Sequence, residues 1–536
     1  MNFFKKLLLT NITDITVNIT KCYIWRYAMN LTTVLESNTR KHPDKDCLRY
    51  NDKKYSYKDV LEFSLKGASL FQSLGIIKGD KISIMSQNTP DFVIALFSSW
   101  FAGATVVPIN HKLMAPETEY ILDHSESKLF LFDGSLSSVA EKITLKNVKK
   151  MTLDSEVNGY DLFSINLNSQ KEPKPIKVND EDFAEILYTS GTTGKPKGCL
   201  HTHRNVVMAG ITAVIATKMD GDDVLLMAMP IWHSSPLNNW FAGIQFVGGT
   251  TVLLREYHPV HFLHTIQNEK CTIYFGAPVS YTMPVQMIPN FDSFDLSSMR
   301  AWIYGGGPIS SDVAKMLIEK YKTNNFYQVY GMTESGPTGT VLLPKEQIKK
   351  AGSIGKTGLP GCDIRIIKTD GKDASPGETG EIWLRADSMM KGYYKNQEAT
   401  NEAFEDDWYK TGDVARIDED GYLFIVDRIK DMIVTGGENV YSKEVEDVII
   451  TMPGITGVAV IGLPHPEWGE TVAAFIMKAQ DSSITKESIV EYLSDKLAKY
   501  KIPRHFYFVD NLPYTPSGKV MKYKLREQYK DYKESK

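Results

Sequence analysis

A chain of 536 residues is too long for one hydrophobic core and implies more than one domain. With 42% hydrophobic and 24% charged residues, a net charge of −4 and no run of lysine or arginine, it has an ordinary globular composition that excludes a basic field for nucleic acid. Five cysteines, at positions 22, 47, 199, 271 and 362, are scattered, odd in number and without a C-x-x-C pair, which argues against a disulfide framework or a zinc site and suits a reducing, cytoplasmic setting.

In chain order, the opening "MNFFKKLLLTNITD" has a basic patch, but its apolar centre, Leu7–Leu9, is too short for a signal peptide. Met29 begins a natural domain start, so residues 1–28 read as an extension outside the fold. From 29 to about 425, apolar strands alternate with helices, the pattern of α/β layers. "KISIMS" (81–86), "VVPI" (106–109), "LFLF" (129–132), "TIYF" (272–275) and "AWIY" (301–304) read as buried strands, and Asp91–Ala102 and Ser311–Tyr321 as helices. The run Phe92–Ile109 approaches membrane-spanning length. Gly103 and Pro108 interrupt it, and it predicts a buried helix followed by a strand, with no transmembrane segment. Asp363–Arg385 turns to short strands and turn residues, a small β-rich subdomain. After "VDRIKDMI" (426–433) comes a compact α+β segment: a strand, the Gly436-Gly437 turn, a helix with Ser442 as its N-cap, strands at 457–461 and 471–477, and a helix near 486–498. The domains are expected at 29–427 and 428–536.

The stretch "YTSGTTGKPKG" (188–198) is built to hold phosphate. It is not a Walker loop, because Gly191 and Gly194 are two residues apart and Pro196 follows Lys195 where Ser/Thr is required. "FAEILY" (183–188) and "KGCLHTH" (197–203) predict strands on both sides. The loop between them offers converging backbone N–H groups, hydroxyls from Thr189, Ser190, Thr192 and Thr193, and charge from Lys195 and Lys197.

With this string, "YGMTES" (330–335), "YKTGD" (409–413), "DRIKDMIVTGGENVY" (427–441) and "PYTPSGK" (513–519) follow in order, and together they resemble the adenylate-forming (AMP-binding) superfamily over residues 30–530. The resemblance implies a large N-terminal domain of α/β layers with the small β-rich subdomain, then a mobile α+β C-terminal domain hinged near Lys430. It implies binding of ATP and Mg2+, with coenzyme A as co-substrate and a small carboxylic acid as the other partner; a homodimer is left open. Nucleotide contacts are expected from Thr189, Ser190, Gly191, Thr192, Thr193, Gly194, Lys195 and Lys197, from Gly305, Gly306 and Gly307 of "YGGGP", and from Gln328, Tyr330, Gly331, Thr333, Asp413 and Arg428.

In this scheme Tyr330 can stack on adenine, Thr333 can meet a phosphate, and Glu334, with Thr193, can hold Mg2+. Asp413 can accept both ribose hydroxyls, with Arg428 beside it. Lys519 is the expected adenylation catalyst, an ammonium placed where charge builds at the α-phosphate. Rotation about Lys430 would then withdraw Lys519 and bring Thr435, Gly436, Gly437 and Glu438 to line a pantetheine tunnel. His233 in "PIWHSSPLNNW" reads either as a group near the acyl carbon or as a structural histidine. Trp232, Trp240, Phe275 and Pro278 read equally as core or as acyl-pocket wall. Two departures stand out: Ser442 replaces a proline common in the family, and Tyr514 stands where a basic residue is frequent. The expected function is a two-step acid:CoA ligase, with medium- or long-chain fatty acids as the expected substrates. A stand-alone enzyme that loads a carrier protein and an arylacid ligase are the alternatives. A nucleotide-binding regulator is disfavoured because Glu334, Asp413, Lys430 and Lys519 are all present.

Overall fold

The structure, a computed structural model, describes residues 29–529 apart from 168–172, 175, 190–195, 307–308, 310, 436–437, 467, 480–481, 495 and 515–519. It is an α/β protein with a large N-terminal part and a β-rich C-terminal part. Two eight-stranded sheets carry most of the N-terminal part. One runs from its edge through Thr340–Leu342, Phe326–Tyr330, Ala301–Gly305, Ile273–Gly276, Val224–Met227, Thr250–Leu253, Asp46–Tyr50 and Lys53–Ser56. The other runs through Gly392–Tyr393, Lys197–Thr202, Phe183–Thr189, Thr105–Ile109, Lys81–Met85, Ser127–Phe132, Lys149–Thr152 and Asp161–Leu162. Their inner pairings are parallel, as the alternation of strands and helices requires.

The central strands are apolar on both faces because both faces are covered: Thr105–Ile109 and Ala301–Gly305 are buried along their whole length. A single core joins the two sheets around the helices Pro90–Phe101 and His203–Thr217. The run that approached membrane length is here a twelve-residue helix and a five-residue strand. Thr89 caps the helix by accepting from Phe92 N–H, and Ser98 and Ser99 donate back to the carbonyls of Ile94 and Ala95, both at 2.7 Å, so their hydroxyls are satisfied without water. Trp100 Nε1 donates to the Ala184 carbonyl at 3.0 Å, fastening this helix to the strand that leads into the phosphate-loop motif. Among the described residues no helix is long and apolar enough to cross a membrane, and no cluster of His, Cys, Asp or Glu is arranged for a metal ion. The cysteines 47, 199, 271 and 362 are free.

The expected β-rich subdomain is a five-stranded antiparallel sheet built on Cys362–Ile367, Thr379–Ala386 and Trp408–Ile417, with Leu423–Arg428 paired to the last of these. A second five-stranded sheet, from Ile433–Thr435 and Glu438–Val440 to His505–Phe508, forms the C-terminal part with its own core of Val445, Ile449, Val460, Ile476 and Leu493. Its long hairpin, Ile455–His465 against Gly469–Lys478, exceeds the predicted strands. The helix expected at 486–498 ends at Ser494, and just beyond it Lys496 and Leu497 share the Leu493 carbonyl as acceptor.

Ser442 is not an N-cap. Tyr441 holds that position and Ser442 is the first helical residue, its Oγ donating to Asp427 Oδ2 at 2.8 Å. A carboxylate from the preceding subdomain has taken the hydroxyl that local sequence assigned to the helix end.

One buried group makes the fold pH-sensitive. Glu185, fully buried in Phe183–Thr189, accepts from Asn238 Nδ2 at 2.6 Å, and burial pushes its carboxyl up to about 8 from 4.5. The folded chain therefore keeps this proton while the unfolded chain loses it, so stability falls as pH rises between about 4.5 and about 8. Urea midpoints measured across that window should decline in the native protein, and Glu185→Gln should remove this part of the slope.

Candidate active site

The polar residues of interest cluster at and beyond strand ends. Ala301–Gly305 and Phe326–Tyr330 run side by side with Tyr304 opposite Gln328 and Gly305 opposite Val329. A Cβ on Gly305 would lie 2.7 Å from the Val329 carbonyl oxygen, so strand packing alone already demands glycine there. Gly306 turns the chain at φ +74° with open space around it. Gln328 is buried on the neighbouring strand.

After Tyr330 the chain passes Gly331, where a Cβ would meet the Pro337 carbonyl oxygen at 2.5 Å, and makes a short turn over Thr333–Ser335. Two contacts pin this turn from beneath. His201 Nε2 donates to the Thr333 carbonyl at 3.0 Å, and Ser234 shares a hydrogen bond between its Oγ and Thr333 Oγ1, also at 3.0 Å. Burial holds the His201 ring down at about 4, so it is a neutral donor.

Glu334 projects from that turn. Tyr393 Oη donates to Glu334 Oε1 at 3.0 Å, and the Lys197 ammonium lies 4.8 Å from the centre of the Tyr393 ring. The arrangement follows from the sheet. Tyr393 pairs with Cys199 at the edge of the hairpin Phe183–Thr189/Lys197–Thr202, whose last register pair is Thr189 and Lys197. Thus the phosphate-loop strands, the Tyr330–Glu334 motif and the strand Gly392–Tyr393 meet at one place. Glu334 stays partly reached by solvent, yet burial raises its carboxyl, and Arg428 works against that rise. Its hard carboxylate oxygens fit an oxygen-coordinated cation such as Mg2+. Tyr393 belongs to none of the motifs read from the sequence; its role appears only once the strand pairing is known.

Asp413 is 5% exposed and doubly held. Arg428 Nε approaches Oδ1 at 3.0 Å and Tyr330 Oη donates to Oδ2 at 2.8 Å. Antiparallel register places Asp413 directly across from Arg428. Tyr330, expected as a stacking ring, thus also has a positioning contact: its hydroxyl orients the carboxylate. Each oxygen retains acceptor capacity for a further donor, the geometry a vicinal diol needs.

Lys430 follows, exposed, on the single turn Ile429–Asp431. Loss of solvation, then the neighbouring Arg428 guanidinium, push its ammonium down to about 8; its exposed end tempers that effect. Both flanks of the turn are anchored. Arg526 reaches Asp431 at 2.5 Å, and Lys522 donates to Ser442 Oγ at 2.6 Å and pairs with Glu446 at 2.8 Å, while Ser442 donates to Asp427. Thr435 lies opposite Glu438 and Gly469 in the C-terminal sheet, a different sheet from that of Asp413 and Arg428.

His233 is half-buried, its ring 5.4 Å from that of Trp232, and its backbone N–H donates to the Pro230 carbonyl. Beyond it the chain forms a π-helical segment, Ser235–Phe241, in which Trp240 stacks on Phe275 at 5.3 Å and 19°. Pro278 starts the helix Pro278–Met287. Ser190, Gly191, Thr192, Thr193, Gly194, Lys195, Gly307, Gly436, Gly437 and Lys519 lie outside the described residues.

The chain belongs to the AMP-binding enzyme family: that family matches residues 35–394, and the AMP-binding enzyme C-terminal domain matches residues 444–519. It is 35% identical over 482 residues to long-chain-fatty-acid–CoA ligase FadD13 of Mycobacterium tuberculosis, covering 89% of this chain and 94% of that one. It is 32% identical over 492 residues to feruloyl-CoA synthase of Amycolatopsis sp, covering 91% and 97%. Among solved structures it resembles o-succinylbenzoate coenzyme A synthetase (MenE) from Bacillus subtilis in complex with ATP and magnesium ion, with a TM-score of 0.82, 28% identity and coverage of 93% and 99%.

Asp413→Ala leaves Arg428 and Tyr330 without their acceptor. It should raise KM for ATP by roughly tenfold or more, as expected for a charged hydrogen-bonding group, while KM for the acid changes little. Tyr393→Phe should weaken Mg2+ binding, read as a higher magnesium concentration at half-maximal rate.

Proposed function

We propose that this AMP-forming acid–thiol ligase acts on an apolar monocarboxylic acid, a medium- or long-chain fatty acid in the first instance. The acid:CoA ligase class follows from membership of the family and its CoA-ligase relatives. Its two steps are attack of a carboxylate oxygen on the α-phosphorus of ATP with release of pyrophosphate, then attack of the CoA thiol on the acyl carbon with release of AMP.

The residues divide this work by position. Lys197 and the hydroxyl of Thr189 stand at the base of the phosphate-loop motif. Asp413, oriented by Tyr330 and Arg428, accepts the ribose hydroxyls. Glu334, oriented by Tyr393, is the residue that would hold Mg2+, which supplies charge neutralisation of the phosphates. We assign to Lys519 the charge stabilisation at the α-phosphate, to Lys430 the hinge, and to Thr435–Glu438 the approach of the CoA arm; these roles rest on the family resemblance of their motifs.

The observation that carries the substrate reading is the Trp240–Phe275 stack in the segment that follows His233, both rings buried in the core that joins the two sheets. Beside His233 and a few hydroxyl and amide groups, the segments 232–240, 274–280 and 302–306 contain aromatic and aliphatic residues and no lysine or arginine, so a second carboxylate on the substrate would meet no permanent cation there. The same flat aromatic pair, together with the feruloyl-CoA synthase relative, favours an arylacid as the second reading.

AMP release measured over medium- and long-chain fatty acids, cinnamate-type acids and dicarboxylic acids, with and without CoA, tests this. Fatty acids should give the highest kcat/KM, with dicarboxylates lower by on the order of a hundredfold. A preference for a dicarboxylate would overturn the substrate class, and turnover indifferent to CoA would favour a carrier-protein acceptor. Lys519→Ala should abolish pyrophosphate exchange yet retain thioester formation from supplied acyl-AMP; equal loss of both would remove its assigned role.

A further inference from the structure

The buried pair Glu185–Asn238 joins two elements that local sequence keeps apart. Glu185 lies four residues before Thr189 on the strand entering the phosphate-loop motif, in register with His201 across the hairpin. Asn238 lies in the π-helical segment five residues after His233. Asn238 Nδ2 donates to Glu185 Oε1 at 2.6 Å, with both residues fully buried.

The opposite side of the π-helical segment is organised around Trp240. Its Nε1 donates to Ser235 Oγ at 3.1 Å, Ser235 donates to Asn239 Oδ1 at 3.2 Å, and Asn239 donates to the Ala209 carbonyl at 3.3 Å. Widened helical turns of this kind are rare and concentrate at functional sites, because the extra residue re-aims the side chains around it. Here the widening turns Asn238 to Glu185 while Trp240 faces Phe275.

The pair is only half-satisfied. Glu185 Oε2 and Asn238 Oδ1 are buried and, among the described residues, make no hydrogen bond. A half-satisfied buried acid and amide cost more than an apolar pair of the same size. The pair therefore points to a geometric purpose.

We propose that Glu185 is a positioning residue for the acyl subsite: through Asn238 it holds the π-helical segment, and with it the Trp240 face, at a set distance from the phosphate-loop strand. This rests on the reading of Trp240 and Phe275 as acyl-pocket wall. Because burial keeps Glu185 protonated at neutral pH, the tie introduces no charge beside the triphosphate.

The test compares Glu185→Gln, which keeps the acceptor oxygen, with Glu185→Leu, which removes it, using the full-length enzyme and whichever acid the wild type turns over best. Glu185→Leu should raise KM for the acid at least about fivefold, the loss of one buried hydrogen bond, with KM for ATP within about twofold; Glu185→Gln should restore the acid KM. Asn238→Leu gives the same split from the other side and serves if Glu185→Leu does not fold. The double variant Glu185→Leu/Asn238→Leu should be no worse than the poorer single one. Parallel increases in both KM values, or an unchanged acid KM in the folded leucine variants, would overturn the proposal. A wild-type preference for dicarboxylates would overturn the substrate class alone, since the KM split is read on the preferred acid.

Discussion

Burial of both faces of the two large sheets is the constraint on which the site depends. Central strands such as Thr105–Ile109 and Ala301–Gly305 have no solvent-facing side, so they carry no exposed chemistry along their length. Polar function is displaced to their ends and to the turns beyond, where backbone N–H and C=O groups emerge from the ladder. Gly305, Gly306, Tyr330 and Thr333 stand at such ends, with Gln328 buried two residues inside the strand that leads to Tyr330, and the hairpin that ends at Thr189 and Lys197 joins them from the second sheet. The N-terminal part thus resembles a rigid frame with reactive edges.

The edges are then held in place by second contacts. Asp413 is oriented by an arginine across the strand and a tyrosine from another sheet. Glu334 is oriented by Tyr393, whose ring lies under Lys197. The turn bearing Thr333 and Glu334 rests on neutral His201 and on Ser234. Preorganisation of this kind matters for phosphoryl and acyl transfer, since charge develops quickly and the protein dipoles must already be aligned.

The junction between the β-rich subdomain and the C-terminal sheet has a different character. Among the described residues it includes the ion pairs and hydroxyl bonds Asp427–Ser442–Lys522–Glu446 and Asp431–Arg526, and the apolar clusters on its two sides are separate. Polar contacts can be exchanged at modest cost, whereas a buried apolar seam cannot, which suits a segment expected to rotate about Lys430.

Much of this was legible in the sequence because it depends on local rules. Strand–helix alternation, the break of Phe92–Ile109 at Gly103, and the strands flanking the glycine-rich loop are set by residue-level periodicity and backbone restriction, whereas Pro108 lies inside the strand Thr105–Ile109 and does not interrupt it. The motif spacing carried the family. Other features depend on which strands pair, and no local pattern encodes that. Tyr393 has no motif, and only its pairing with Cys199 brings it to Glu334. Ser442 reads as a helix cap until the carboxylate of Asp427 arrives from another sheet to take its hydroxyl. Glu185 reads as one residue of an apolar strand, and only the packing of a π-helical turn fifty-three residues away gives its buried carboxyl a partner. Sequence by itself determined the elements and the chemistry available; tertiary structure decided which groups meet, because hydrogen bonding and desolvation act through space and not along the chain.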